Sequence, residues 1–359
     1  MRLIVTGSEG YIGSVLCRVL LEAGHDVRGI DSGLFHDCLT GTPPPVKTLD
    51  RDIRDLEAAD LADADAVIHL AALSNDLLGD IDEGVTREIN HHGAVRVAEC
   101  AKRAGVPRFV MASSCSVYGA AGDDFLNEDS ATGPLTPYAE SKIGAELDVL
   151  PLADAAFRPV VLRPGTVYGA SARVRFDLVV NNLVAWAVTS GEVLLKSLGT
   201  AWRPLIHVED LARFFFLAAT VPTDRLGPSV FNVGRTDENF RILDLAERIS
   251  AAVAGSRLTF QPGACKDERS YRVDCSRLVD HFPEFRFLHG VSDGIPEVQS
   301  LVRDLKLSPD DFEGAGYLRS SHLLALRDSD ALDETFRWRQ GPRGRSAVPP
   351  ARQSLGDGA

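Results

Sequence analysis

Short apolar runs, each ending near a glycine or an acidic residue, recur through the first half of the chain. "RLIVTG" (2–7) reads as a buried parallel strand, "SVLCRVLLEAG" (14–24) as a helix closed by Gly24, and "DVRGID" (26–31) as a second strand. Strand-like runs return at 65–72 ("DAVIHLAA"), 108–114 ("RFVMASS") and 159–165 ("PVVLRPG"), with helical periodicity between them in "VRVAECAKRAG" and "AESKIGAELDVL". Strands that are apolar throughout need cover on both faces, and a parallel neighbour is reached only by a crossover. The pattern therefore predicts an α/β fold with a doubly wound parallel sheet.

After Gly165 the rhythm breaks. "RFDLVVNNLVAWAVTSGE" reads as a helix, "WRPLIHVEDLARFFFLAA" as a turn and a helix, "SVFNVG" as a strand, and "RILDLAERISAAV" as another helix. A main domain at 1–168 is expected, with segments near 205–234 returning to it. Residues 169–338 are expected to form mainly a smaller lobe over the sheet's carboxyl edge, ending in a short helical appendage packed on the lobe or on a partner subunit. The Gly-, Pro-, Ala- and Ser-rich tail (339–359) is expected to be disordered.

Composition narrows the partners. The chain has 359 residues, 45% apolar and 25% charged, an ordinary globular balance, and its formal charge of -13 argues against a broad nucleic-acid footprint. No apolar run approaches the roughly 18 residues of a membrane span. Cys17, Cys38, Cys100, Cys115, Cys265 and Cys275 are scattered without CxxC pairing, so free thiols in a reducing cytoplasm are expected, and no metal site.

The candidate chemistry lies at strand ends. "TGSEGYIGS" sets Gly7, Gly10 and Gly13 three residues apart between strand and helix, where backbone can approach a pyrophosphate and a helix N-terminus favours an anion. Asp31 ends the next strand, 18 residues beyond Gly13, where a carboxylate can bind a ribose 2′-hydroxyl and repel a 2′-phosphate. Tyr138 and Lys142 are four residues apart on a helix, so the ammonium can lie near the phenol and favour phenolate. Ser114, 24 residues before Tyr138, ends a strand at the edge where open α/β sheets build their sites. His69, on a strand, is expected to be a core histidine.

Gly loop, acidic strand end, serine and YxxxK in this order resemble the extended short-chain dehydrogenases, specifically the nucleotide-sugar epimerase/dehydratase family, over about residues 1–300. The resemblance implies a Rossmann-like domain binding NAD, with Tyr11 and Ile12 along the pyrophosphate and Asp52 and Ile53 at the adenine. It places Leu70, Ala71, Ala72 and Pro164 beside the cofactor, with Asn90 supporting the sheet and site; Tyr138 and Lys142 also touch the cofactor. It implies catalysis by Ser114, Tyr138 and Lys142, and a nucleotide-diphosphate sugar bound by Ser114, Asn181, Asn182, Arg203 and Arg269. The arginines stand in "GTAWRPLIHVEDLA" and "DERSYRVD", which resemble the family's later segments. Where the dehydratase branch carries Thr-Asp-Glu, this chain has Ser114, Cys115 and Ser116, which points away from a 4,6-dehydratase; Cys115 is expected to pack under the nicotinamide. A 4-epimerase is the expectation, with a 4-ketoreductase, a uronic acid decarboxylase and a non-catalytic NAD-binding scaffold as alternatives. The resemblance also implies a homodimer formed through the stretches near 90–104 and 138–150.

Overall fold

The computed structural model describes residues 1–222, 225–226 and 229–339. Seven strands form one sheet in the spatial order Ser229–Val233, Arg158–Pro164, Arg108–Ala112, Ala66–His69, Arg2–Thr6, Asp26–Asp31, Lys47–Asp50, every pair parallel. Alternation along the strands divides the core. Leu3, Val5, Ile68, Val110 and Leu162 face a layer that includes helices Tyr11–Glu22 and Val208–Thr220. Ile4, Val67, Phe109, Met111 and Val161 face helices Gly93–Arg103 and Pro137–Val149. Both faces are dry, as the near-continuous apolar runs require.

Lys47–Asp50 has no counterpart among the predicted strands. Its sequence, KTLD, is half-exposed at the sheet edge and lacks the apolar run that marks the inner strands. Trp202–His207, expected as a turn, is a strand lying between Thr166–Tyr168 (parallel) and Asn239–Arg241 (antiparallel). Two further pairs, Glu192–Ser197 with Arg257–Cys265 and Ala120–Leu126 with Ser270–Val273, form small sheets of their own, the second tying the C-terminal half to the first.

The appendage meets its expectation in part: Pro309–Phe312 packs on the lobe, with Phe312 against Phe176 and Trp186, while the segment after it does not. Helix Arg319–Asp328 and the turn after it bury Leu323, Leu326, Leu332 and Phe336 in the same core as Ile30, Leu34, Ile53 and Val97. It therefore packs against the sheet domain, because its apolar stripe finds an uncovered edge there. Apart from Arg339, the expected disordered tail lies outside the described residues. No helix among the described residues is long and apolar enough to cross a membrane, and no cluster among them could hold a metal ion.

Candidate active site

A cavity of about 850 Å³ runs along the carboxyl ends of the strands, with the sheet domain on one side and the C-terminal half on the other. Its wall contains Gly7, Gly10, Tyr11, Ile12, Gly13, Asp31, Asp52, Ile53, Leu70, Ala71, Ala72, Ser114, Tyr138, Lys142, Pro164, Asn182, Arg203 and Arg269. Side chains distributed over 260 residues of sequence thus meet at one surface.

The glycine loop is a backbone wall. Gly7 has φ +74°, and a Cβ there would lie 2.7 Å from the Ala71 nitrogen; one on Gly13 would lie 2.0 Å from the Gly7 oxygen. Gly10 caps helix Tyr11–Glu22 without a side chain, which leaves the N-terminal N–H groups to a ligand. Asp31 accepts from the N–H of Glu9 (3.0 Å) and of Gly33 (2.9 Å). Burial raises its pKa while those two N–H groups draw it down, and a carboxylate bonded once at each oxygen retains lone pairs for a ribose hydroxyl. Asp52 caps the turn Ile53–Asp55 through the Arg54 N–H (2.9 Å) and pairs with the Arg54 guanidinium at 2.5 Å. These features fit a dinucleotide such as NAD: a cradle for phosphates, an acidic strand end for ribose, and an apolar adenine wall at Ile53.

Helix Pro137–Val149 begins at a Thr136 cap and carries Tyr138, Lys142 and Glu146 on successive turns of one face. Lys142 is buried, donates from Nζ to the Ala112 carbonyl (3.0 Å) and lies 5.8 Å from the centre of the Tyr138 ring. Burial lowers its pKa to about 8, against an opposing pull from Glu146. Burial pushes the Tyr138 phenol up to about 12; a hydrogen bond from Ser114 and the charge of Arg175 act to lower it. The ammonium thus sits near the phenol as its spacing suggests, yet desolvation dominates and the phenol holds its proton. Ser114 also caps the turn Cys115–Tyr118, accepting from the Ser116 N–H at 3.1 Å.

Beneath these groups runs a buried network that spacing alone did not reveal. Ser113 donates to Glu146, which holds Arg163 through Nε (2.9 Å) and Nη2 (2.5 Å). Arg163 donates to the Tyr118 hydroxyl (3.1 Å), which donates to Asn232 (2.8 Å). Glu146 stands four residues beyond Lys142 on the helix face already singled out, which was an available signal. Arg175 and Asp177, paired at 2.6 Å in the cavity wall, carried no such signal because their segment is irregular.

Two expected site residues lie elsewhere. Asn90 is buried outside the wall, accepting from Leu73 N (2.8 Å) and donating to Leu73 O (3.0 Å) and Ser141 Oγ (3.2 Å). It ties the loop after Ala66–His69 to the Tyr138 helix from outside the cavity wall. Asn181 is fully buried, accepting from Gly169 N (3.1 Å) and donating to Arg175 O (3.0 Å), so it fastens the 169–175 loop and does not reach substrate. Asn182 does line the cavity; its amide donates to Phe176 O (2.7 Å) and Glu313 (3.1 Å).

Arg203 and Arg269 are brought together by one carboxylate. Asp267 pairs with Arg203 at 2.8 Å and with Arg269 at 2.9 Å, and Arg269 also reaches Asp76. Two guanidinium forks on one edge of the cavity suit a diphosphate. His69 is a core residue: Nδ1 is 2.7 Å from Thr6 Oγ1, and burial, then Lys142, lowers its pKa to about 3, so it is neutral. The Cys115 thiol is buried outside the wall and donates to Arg163 O (3.1 Å); it packs with Tyr271 and Val273, so the expected place under the nicotinamide is corrected, and burial raises its pKa, leaving it an unreactive thiol.

A strand-end glycine cradle, a serine and a tyrosine–lysine helix in one cleft define a dinucleotide-dependent enzyme acting on a hydroxyl or carbonyl carbon. The chain belongs to the NAD-dependent epimerase/dehydratase family, whose sequence model matches residues 3–234. It is 30% identical to the UDP-glucose 4-epimerase of Mycolicibacterium smegmatis, covering 77% of this chain and 91% of that one. Among solved structures, MoeE5 in complex with UDP-glucuronic acid and NAD matches with a TM-score of 0.73 at 28% identity, over 85% of this chain and 99% of that one. TunA, an NAD-dependent NDP-hexosamine 5,6-dehydratase of tunicamycin biosynthesis, matches with a TM-score of 0.74 at 25% identity, over 84% and 98%. The protein is an NAD-dependent enzyme of the nucleotide-sugar epimerase and dehydratase type.

Proposed function

We propose that the protein is a nucleotide-sugar 4-epimerase. The observation that carries the reading is the character of the acids around Tyr138. At Ser114, Cys115 and Ser116 the chain offers no carboxylic acid, and two carboxylates of the wall, Asp76 and Asp177, are held by Arg269 and Arg175. Burial raises the Asp177 pKa, but Arg175 more than offsets this and keeps it below the usual range, so it is a poor donor to a departing hydroxyl. Proton exchange at a sugar hydroxyl falls to Tyr138, with Ser114 orienting that hydroxyl and Lys142 favouring phenolate. Bound NAD supplies hydride acceptance and return at C4. Tyr138 takes the C4 hydroxyl proton, Ser114 holds the resulting carbonyl oxygen, and Tyr138 returns the proton after the sugar has turned over. Arg203 and Arg269 gripping the diphosphate leave the sugar free to rotate.

The test is to release small molecules from the purified protein and then incubate it with UDP-, GDP- and dTDP-sugars without added cofactor. Co-purified NAD and a mass-neutral conversion are expected. Turnover only on addition of NADH or NADPH would replace the reading with a ketoreductase, and loss of 18 or 44 mass units with a dehydratase or decarboxylase. In the same panel Arg269→Ala should raise KM about tenfold or more with kcat little changed, as loss of uniform phosphate binding requires.

Pairing of two chains through Gly93–Arg103 and Pro137–Val149 belongs to the same proposal. It is supported by Leu147, 67% exposed on the second of these helices, and by the His91–Asp148 contact (2.6 Å) that ties the turn Glu88–His92, leading into the first helix, to the second. A monomer in sedimentation at micromolar concentration would remove it.

A further inference from the structure

The appendage after the lobe has no role in the family resemblance, yet it supplies part of the cleft. Arg319 opens helix Arg319–Asp328 and lies in the cavity wall with Leu318 and Phe35. Its guanidinium is 4.9 Å from the centre of the Phe35 ring and donates from Nη2 to the Arg173 carbonyl at 3.1 Å; the residue is 2% exposed. Nη1 is buried with no hydrogen-bond partner among the described residues. A buried guanidinium nitrogen without an acceptor is costly, and an oxyanion is the group that removes the cost.

The neighbours say which oxyanion. Ser171 Oγ donates to the Tyr11 carbonyl (2.9 Å) and meets Ser14 Oγ (2.8 Å), while Arg173 N donates to Ser171 Oγ (3.2 Å). The loop that Arg319 grips is therefore pinned to the first turn of helix Tyr11–Glu22, where the glycine cradle opens. The acids nearby are already engaged: Glu9 lies 3.8 Å from Arg173, Asp177 is paired with Arg175, and Asp31 binds two N–H groups. The Cys38 thiol also lies beside Arg319. Burial raises it, but Arg319 and His322 more than offset the rise, as expected of a positive environment.

We propose that Arg319 is a cofactor-binding residue whose Nη1 contacts the dinucleotide pyrophosphate, and that the appendage thereby fastens the cofactor in the cleft. The continuation of the same segment closes the adenosine end. Trp338 Nε1 donates to the carbonyl of Ser32, the residue after Asp31, at 2.7 Å. Arg54 donates to Thr335 O at 2.8 Å, and Arg337 pairs with Asp55, both beside Ile53. Release of the cofactor then requires the appendage to give way, which suits an enzyme that regenerates its cofactor within each turnover. The inference rests on NAD binding and is independent of the C4 assignment.

The experiment is calorimetric titration of the full chain, stripped of cofactor, with NAD, ADP, adenosine and UDP, for wild type and Arg319→Gln, with thermal melts of both unliganded proteins. Expected are a ten- to hundredfold weaker NAD and ADP, adenosine and UDP within about twofold, and an unliganded melting temperature that does not fall. Unchanged NAD and ADP affinity would overturn the proposal, as would an equal loss for adenosine, which marks a structural role. Weakening confined to UDP would also overturn it by assigning Arg319 to the substrate diphosphate. Should Arg319→Gln fail to fold, Arg319→Lys keeps the charge and loses the fork; ADP weakened with adenosine intact is the supporting result, and both unchanged the opposing one.

Discussion

Tyr138→Phe should lower turnover of the nucleotide sugar by about 10²–10⁴-fold while leaving NAD affinity within about twofold. The substitution removes one oxygen and keeps the ring, which matters because the backbone packs tightly here: a Cβ on Gly79 would lie 2.9 Å from the Tyr138 Cβ. The pH profile should identify the groups. Active enzyme needs Tyr138 as phenolate and Lys142 as ammonium. With the phenol raised to about 12 and the ammonium lowered to about 8, log kcat/KM should climb by one per pH unit below about 8 and flatten above it. Above that point each gain in phenolate is cancelled by a loss of ammonium. Lys142→Ala should be slower throughout, and its profile should climb through pH 8 without the break. A variant lacking the Tyr138 hydroxyl that retains wild-type turnover would remove it from the chemistry; a break that persists in Lys142→Ala would assign it to another group.

The legible parts of the fold were those where one physical demand fixes the residue type. A backbone wall that would bring a Cβ within 2.0 Å of a carbonyl admits only glycine, so Gly13 announces itself. Strands buried on both faces must be apolar throughout, so the inner strands stand out while the edge strand Lys47–Asp50 does not. Helical spacing located Tyr138 and Lys142, but it could not separate Asn181 from Asn182. Adjacent helix positions point about 100° apart, and which one meets the cavity depends on how the helix is rotated against its neighbours. The same limit hid the appendage: an apolar stripe states that a helix will be covered, and only the tertiary fold states by what. Trp202–His207 shows a further case, where a turn was expected and a strand forms as the middle of a three-stranded sheet, with Pro204 paired to Asn239 on one side just before the register with Thr166–Tyr168 begins on the other.

Glu146→Ala should cost about 3–5 kcal/mol of stability, measured by urea unfolding, because it leaves the Arg163 guanidinium charged, buried and unpaired. Both residues are almost sealed, at 3% and 5% exposure, and the pair also satisfies Ser113 and supports Tyr118. The pair joins the Tyr138 helix to strand Arg158–Pro164 and, through Ser113, to the end of strand Arg108–Ala112, whose last carbonyl holds Lys142. Loss of Glu146 also withdraws the charge that supports the Lys142 ammonium, so the break in the pH profile should move below about 8. The stability and rate effects can be separated. Glu146→Leu combined with Arg163→Met replaces the ion pair by apolar groups of similar volume and should recover most of the lost stability, since desolvating the pair roughly cancels its attraction. It should not recover the pH profile, because the negative charge beside Lys142 is still missing. A single variant that loses less than about 1 kcal/mol would mean that Arg163 finds another acceptor and that the network beneath the cleft is not what holds its floor together.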